Sequence, residues 1–181
     1  LDSLNAACNP SFNIYSLLSC RILDKPIIDF EFNDLELSKD LNSFTQSVLG
    51  ERIQALIEID EIPIAEIELN RIQSISNDRF KMTLLGFSKK NDLSSLQIKT
   101  AKYLFKENAP IEFLYPTPQW IENYEFNEVD PILILSMIRQ ESQFSAFARS
   151  GKSAYGLMQI LPSTARMVNK KYNFKSNPRY L

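Results

Sequence analysis

The sequence predicts an all-α protein in two parts: a scaffold of stacked helical hairpins over residues 1–115, then a second α domain beginning within residues 116–181. Three observations predict this. Helix-length stretches with apolar residues three and four apart follow one another from about residue 35 to 106. Only Ile27 to Phe32 alternates as a strand would, too little for a β domain. Tyr115-Pro116-Thr117-Pro118 then breaks any helix, because proline lacks the N–H and restricts the residue before it.

The elements follow in order. Asn9-Pro10 is expected to open a helix, with Asn9 as cap and Pro10 in the first turn, carrying Ile14, Leu17, Leu18 and Ile22 at helical spacing. Residues 27–32 read as an extended connector. Helices are expected at 35–48, 51–59, 62–75, 77–89 and 92–106. In the third of these Pro63 fits the first turn, and Ile64, Ile67, Leu69, Ile72 and Ile75 suggest one packed face. No strict repeat period emerges, yet consecutive short helices of similar length suggest hairpins that cover one another's apolar faces. Asp130-Pro131, a cap and first-turn proline, opens a further helix from Ile132 to about Gln143.

Composition narrows the chemistry. With 181 residues, 44% of them hydrophobic, the chain can bury a core. Glycine occurs only at 50, 86, 151 and 156, so Gly-rich phosphate cradles have almost nowhere to sit. Histidine is absent, which removes Ser-His-Asp and Cys-His sites and the commonest transition-metal ligand. No metal or other cofactor is expected. No stretch approaches the roughly 18 apolar residues of a membrane span. Leu1-Asp2-Ser3 does not resemble a signal peptide, so the chain is expected to begin partway along a precursor. Cys8 and Cys20 could form a disulfide in an oxidising compartment or stay as buried thiols.

The net charge of -2 hides an asymmetry: residues 1–130 hold 21 acids and 12 bases, whereas residues 131–181 hold one acid, Glu141, and eight bases. A boundary near 115–130 follows. The basic segment is either a solvated surface or a face for an anionic polymer. Nucleic acid is disfavoured, since no binding motif accompanies the charge and the chain as a whole is acidic.

On the helix from Ile132, Ser136, Arg139, Gln140 and Gln143 gather into a polar stripe, and Ile134, Met137, Ile138 and Phe144 line the far side with Glu141. Glu141 is therefore expected to be buried. Burial and the negative end of the helix dipole would both disfavour its charged form, letting it hold a proton as a general acid must.

Ile138-Arg139-Gln140-Glu141-Ser142, then Phe144, Ala148, Ser150, Gly156-Leu157-Met158-Gln159, Pro162 and Thr164-Ala165 together resemble the catalytic domain of the soluble lytic transglycosylases, a lysozyme-like fold. The resemblance covers about residues 115–181, and more faintly the helices before them, which resemble that family's helical superhelix. Ser153 stands where the family often has glycine and Leu161 where it often has methionine. The family's Ala-Tyr-Asn motif and the rest of the catalytic domain are expected from a continuation of the chain. The resemblance implies a periplasmic enzyme acting on peptidoglycan glycan strands. Glu141 would be the only acid/base, cutting the MurNAc-GlcNAc β-1,4 bond and leaving 1,6-anhydro-MurNAc ends. Ser150 and Gln159 are candidates for holding sugar or N-acetyl groups, Met158 for lining the floor and Ser142 for orienting the glutamate, with Gly156 allowing a tight approach of chain to helix. Loop cap, solvated amide and core thioether are the plainer roles for Ser150, Gln159 and Met158. A lysozyme-type hydrolase and a non-catalytic, peptidoglycan-binding scaffold are the alternatives for the whole.

Overall fold

The structure, a computed structural model, describes residues 2–8, 14–25, 40–123 and 129–172. The Asn9-Pro10 helix start, the connector at 27–32 and the first half of the 35–48 helix lie outside the described residues. Among the described residues the regular elements are helical, with isolated bridges joining Arg149, Tyr155 and Ile160. No helix there is long and apolar enough to cross a membrane.

Helices α1 (Asp2–Ala7) and α2 (Ile14–Ile22) pack together, and a disulfide joins Cys8 to Cys20. The scaffold continues with α3 (Leu41–Thr45), α4 (Val48–Glu58), α5 (Ile62–Ile75), α6 (Asp78–Lys90) and α7 (Ser94–Phe105). The expected break between residues 48 and 51 falls earlier. Ser47 caps α4: its Oγ accepts from Gly50 N at 3.1 Å and donates to Phe44 O at 2.6 Å. Gly50 is not a break but a contact, since a Cβ there would collide with the Phe44 carbonyl. Pro63 sits in the first turn of α5, and Asn77 caps α6 by accepting from Phe80 N at 2.9 Å.

The main scaffold core joins Phe44, Ile53, Ala65, Leu69, Leu84, Phe87, Leu93 and Leu96, with the Phe44 ring edge-on to Phe87 at 5.0 Å. The inward face of α5 differs from the isoleucine row that spacing suggested. Ala65, Glu66, Leu69 and Gln73 are buried, while Ile64, Ile67 and Ile75 are exposed. Glu66 goes inward because its Oε1 accepts from the first-turn amides of α7, Ser95 N at 3.0 Å and Leu96 N at 3.4 Å. The carboxyl thus does for α7 what a capping side chain does.

After a 3₁₀ turn (Lys106–Asn108) and α8 (Ile111–Leu114), the proline-rich stretch leads to a second 3₁₀ turn at Gln119–Asn123. Then come α9 (Pro131–Glu141) and α10 (Pro162–Tyr172), the latter unassigned from the sequence. A core of Ile98, Ile121, Leu135, Ile138 and Phe144 joins α7 to α9 and to the turn beyond it.

Candidate active site

Asp130 Oδ1 accepts from Ile132 N at 2.8 Å and Pro131 fills the first turn, the start that the sequence predicts for α9. Its inward face is Leu135 and Ile138. Leu133 and Met137 are exposed, and Glu141, eight and four residues beyond them respectively, shares their side of the helix. The burial expected for Glu141 is therefore not found: its side chain is exposed on the last residue of α9. Apolar residues line two sides of this helix, and packing on the scaffold uses the other one. Glu141 makes no side-chain hydrogen bond or ion pair among the described residues.

The helix end is fixed by its neighbours. Arg139, on the polar stripe, turns toward the preceding helices, where its Nε donates to Leu114 O at 2.6 Å and its guanidinium lies 5.3 Å from the centre of the Tyr115 ring. Gln143 and Phe144 both take positive φ, 52° and 63°, ending α9 at Glu141. Phe144 is held by burial against Ile98, while Gln143 Oε1 accepts from Lys102 Nζ at 3.0 Å. Partial burial, then the nearby Arg139 charge, push the Lys102 ammonium below the usual lysine range. Lys102 and Leu114 were not among the residues singled out from the sequence, because these contacts join positions 41 and 25 residues apart.

The motif loop closes on itself. Ser142 Oγ donates to Ile138 O at 3.2 Å, one helical turn back, rather than reaching Glu141. Ser150 Oγ accepts from Ala154 N at 3.0 Å. Gln159 Nε2 donates to Ala148 O at 3.0 Å and to Gly156 O at 2.9 Å, drawing the two strands of the loop together. Gly156 has φ 76° and donates its N–H to Ala148 O at 3.0 Å, a contact within the loop rather than with a helix. Met158 packs, partly buried, against the core that holds α9. Around Glu141 the geometry thus gives an exposed carboxyl on a rigidly seated helix end, beside a loop whose polar groups hold its own backbone.

Residues 118–180 match the Transglycosylase SLT domain. Solved structures share the fold at low identity. The 70 kDa soluble lytic transglycosylase of Escherichia coli matches 97% of this chain with 18% identity and a TM-score of 0.69. A 70 kDa soluble lytic transglycosylase in complex with bulgecin A matches 98% of it, also at 18% identity, with a TM-score of 0.71. An inactive mutant of the lytic transglycosylase Slt from Pseudomonas aeruginosa matches 94% at 18% identity and a TM-score of 0.60. The chain spans less than a third of those proteins, 29%, 29% and 28% of their lengths in the same order. Residues 118–180 thus match the transglycosylase SLT domain, and the chain shares the all-α fold of the soluble lytic transglycosylases of known structure.

Proposed function

We propose that the chain is part of a periplasmic lytic transglycosylase, with a helical scaffold to about residue 115 and a catalytic segment from residue 116. Its substrate is the glycan strand of peptidoglycan. The observation that carries the reading is Glu141, the one carboxylate of residues 131–181, presented to solvent at the fixed end of α9 within the matched segment. The Cys8–Cys20 disulfide supports an oxidising compartment.

In the proposed reaction Glu141 donates its proton to the glycosidic oxygen between N-acetylmuramic acid and N-acetylglucosamine as the bond from C1 breaks. The substrate's own N-acetyl group stabilises the positive charge developing at C1. The Glu141 carboxylate then takes the proton of the sugar's 6-hydroxyl, whose oxygen closes onto C1 as a 1,6-anhydro ring. Glu141 ends protonated and no water is consumed. A single carboxylate suffices because the substrate supplies the second nucleophile, unlike the two-carboxylate glycosidases. Exposed in the free protein, Glu141 would be desolvated when a glycan covers Leu133 and Met137. Ser150, Gln159 and Met158 act by shaping the loop around the sugar.

Mass spectrometry of peptidoglycan digested by the full-length protein tests the reading. Anhydro ends are expected, and reducing ends alone would assign a hydrolase. Glu141→Gln removes proton transfer, a contribution of typically ~10²–10⁴-fold. Retained turnover in that variant would exclude Glu141 from this role.

A further inference from the structure

A pocket of about 440 Å³, with no residue of α9 in its lining, lies between α5, the N-terminal half of α7 and the turn Ser145–Phe147. Its size is that of a small-ligand site. Three kinds of surface meet there. Ile67 and Phe147, both exposed, supply apolar walls. Arg71 from α5 and Lys99 from α7 supply positive charge. Glu66 and Ser95 form the buried part.

The buried part is built for donating. Both protein amides that reach Glu66 bind Oε1, which leaves Oε2 for another partner. Burial pushes this carboxyl up to about 7, although the two amides and Lys99 pull the other way. Near neutral pH its protonated form therefore offers an O–H. Ser95 is 1% exposed, and its Oγ has no hydrogen-bond partner among the described residues. An unpaired buried hydroxyl is costly, so the floor of the pocket is short of hydrogen-bond partners. The remaining charges nearby are engaged elsewhere, Glu68 with Arg52 of α4 and Asp78 with Lys81 within α6. The turn from Ser145 to Phe147 brings none.

We propose that this pocket binds a carboxylate-bearing ligand, with Arg71 and Lys99 pairing its charge above the buried floor of Glu66 and Ser95. Two cations and a neutral acid favour an oxyanion, and the apolar walls favour one attached to a small aliphatic or ring group. In the enzyme proposed above, the matching source is the acidic peptide attached to the glycan, and on that point the inference rests on the proposed function. Occupancy takes up a proton on Glu66, so binding weakens as pH rises.

The test is calorimetric titration of the full-length protein with four probes: an N-acetylated acidic dipeptide, its diamide, a muropeptide carrying the free acids and a neutral N-acetylglucosamine oligomer. The dipeptide is expected to bind and its diamide to fail. Stronger binding of the muropeptide to this pocket would mark the wall peptide as the source. Arg71→Met and Lys99→Met should each weaken the dipeptide about tenfold. Between pH 6 and 8 affinity should fall about tenfold, following the protonated fraction of Glu66, and Glu66→Gln should abolish that dependence. Equal binding of acid and diamide, or unchanged affinity in both cation variants, would overturn the proposal. None of these outcomes depends on Glu141, so activity lost or kept on peptidoglycan tests the other reading separately.

Discussion

Individual residues bear the strain of the segment around Glu141 and would bear its proposed chemistry. Because Glu141 is exposed, Glu141→Gln should leave the melting temperature nearly unchanged, within the ±0.5 kcal/mol of ordinary surface substitutions. A large fall would make it a structural residue. The loop stores strain at positions that are not glycine: Gln143, Phe144, Ser153 and Gln159 all have positive φ. Ser153, at φ 59°, holds a backbone conformation that glycine adopts at no steric cost. Ser153→Gly is expected to stabilise the loop by about 0.5–1 kcal/mol, or to break even if unfolded-state entropy offsets the relief. Thermal melts decide it, and clear destabilisation would show that the Ser153 side chain holds the loop.

At the level of helices, the residues that begin them were the most legible. Pro63 and Asp130-Pro131 mark two starts by local chemistry that acts within one turn. The break expected between residues 48 and 51 misled because the helix runs through Gly50, whose contact with the Phe44 carbonyl sequence spacing does not reveal. The inward face of α5 misled for a related reason, since a carboxylate goes inside when another helix offers it two amides. That burial has a measurable cost. Raised from 4.5 to about 7, the Glu66 carboxyl makes the folded state bind more protons than the unfolded one between those values. Its stabilising contribution is full below the unfolded value and is lost as pH rises through about 7. Glu66→Gln should therefore raise stability at pH 8, by up to roughly 3 kcal/mol, with the gain shrinking toward pH 5. Melts of both proteins across that range test it, and a gain largest in acid would refute the sign. The α1–α2 pair rests on its covalent tie. Reduction of Cys8–Cys20 should cost it about 3 kcal/mol of local stability. Hydrogen exchange should then accelerate in residues 14–25 and not in α4–α7. Unchanged protection would mean that packing alone holds the pair.

At the scale of the molecule, the all-α architecture of the described residues and the resemblance of the matched segment were legible, because helical periodicity and a dense motif act locally. The seating of α9 was not. It depends on Ile98, Lys102 and Leu114, residues ahead of the matched segment that carry no motif of their own. Glu141 was assigned to the wrong side of its helix because both sides are apolar and only the scaffold decides which is covered.

The core shared by Ile98, Ile121, Leu135, Ile138 and Phe144 has a consequence for what happens when the backbone is severed. Thr117 is exposed between two prolines, where a protease recognition sequence can be inserted. Once cleaved there, the two pieces would still share one buried apolar interface, together with the Arg139–Leu114 and Lys102–Gln143 bonds. They should co-elute on gel filtration and come apart only in denaturant. Separation in buffer would show that the peptide link, not the interface, holds scaffold and SLT segment together. Continuity of the chain across residues 115–118 is then dispensable for keeping the glutamate in place, and the molecule behaves as a non-covalent complex that happens to be translated as one piece.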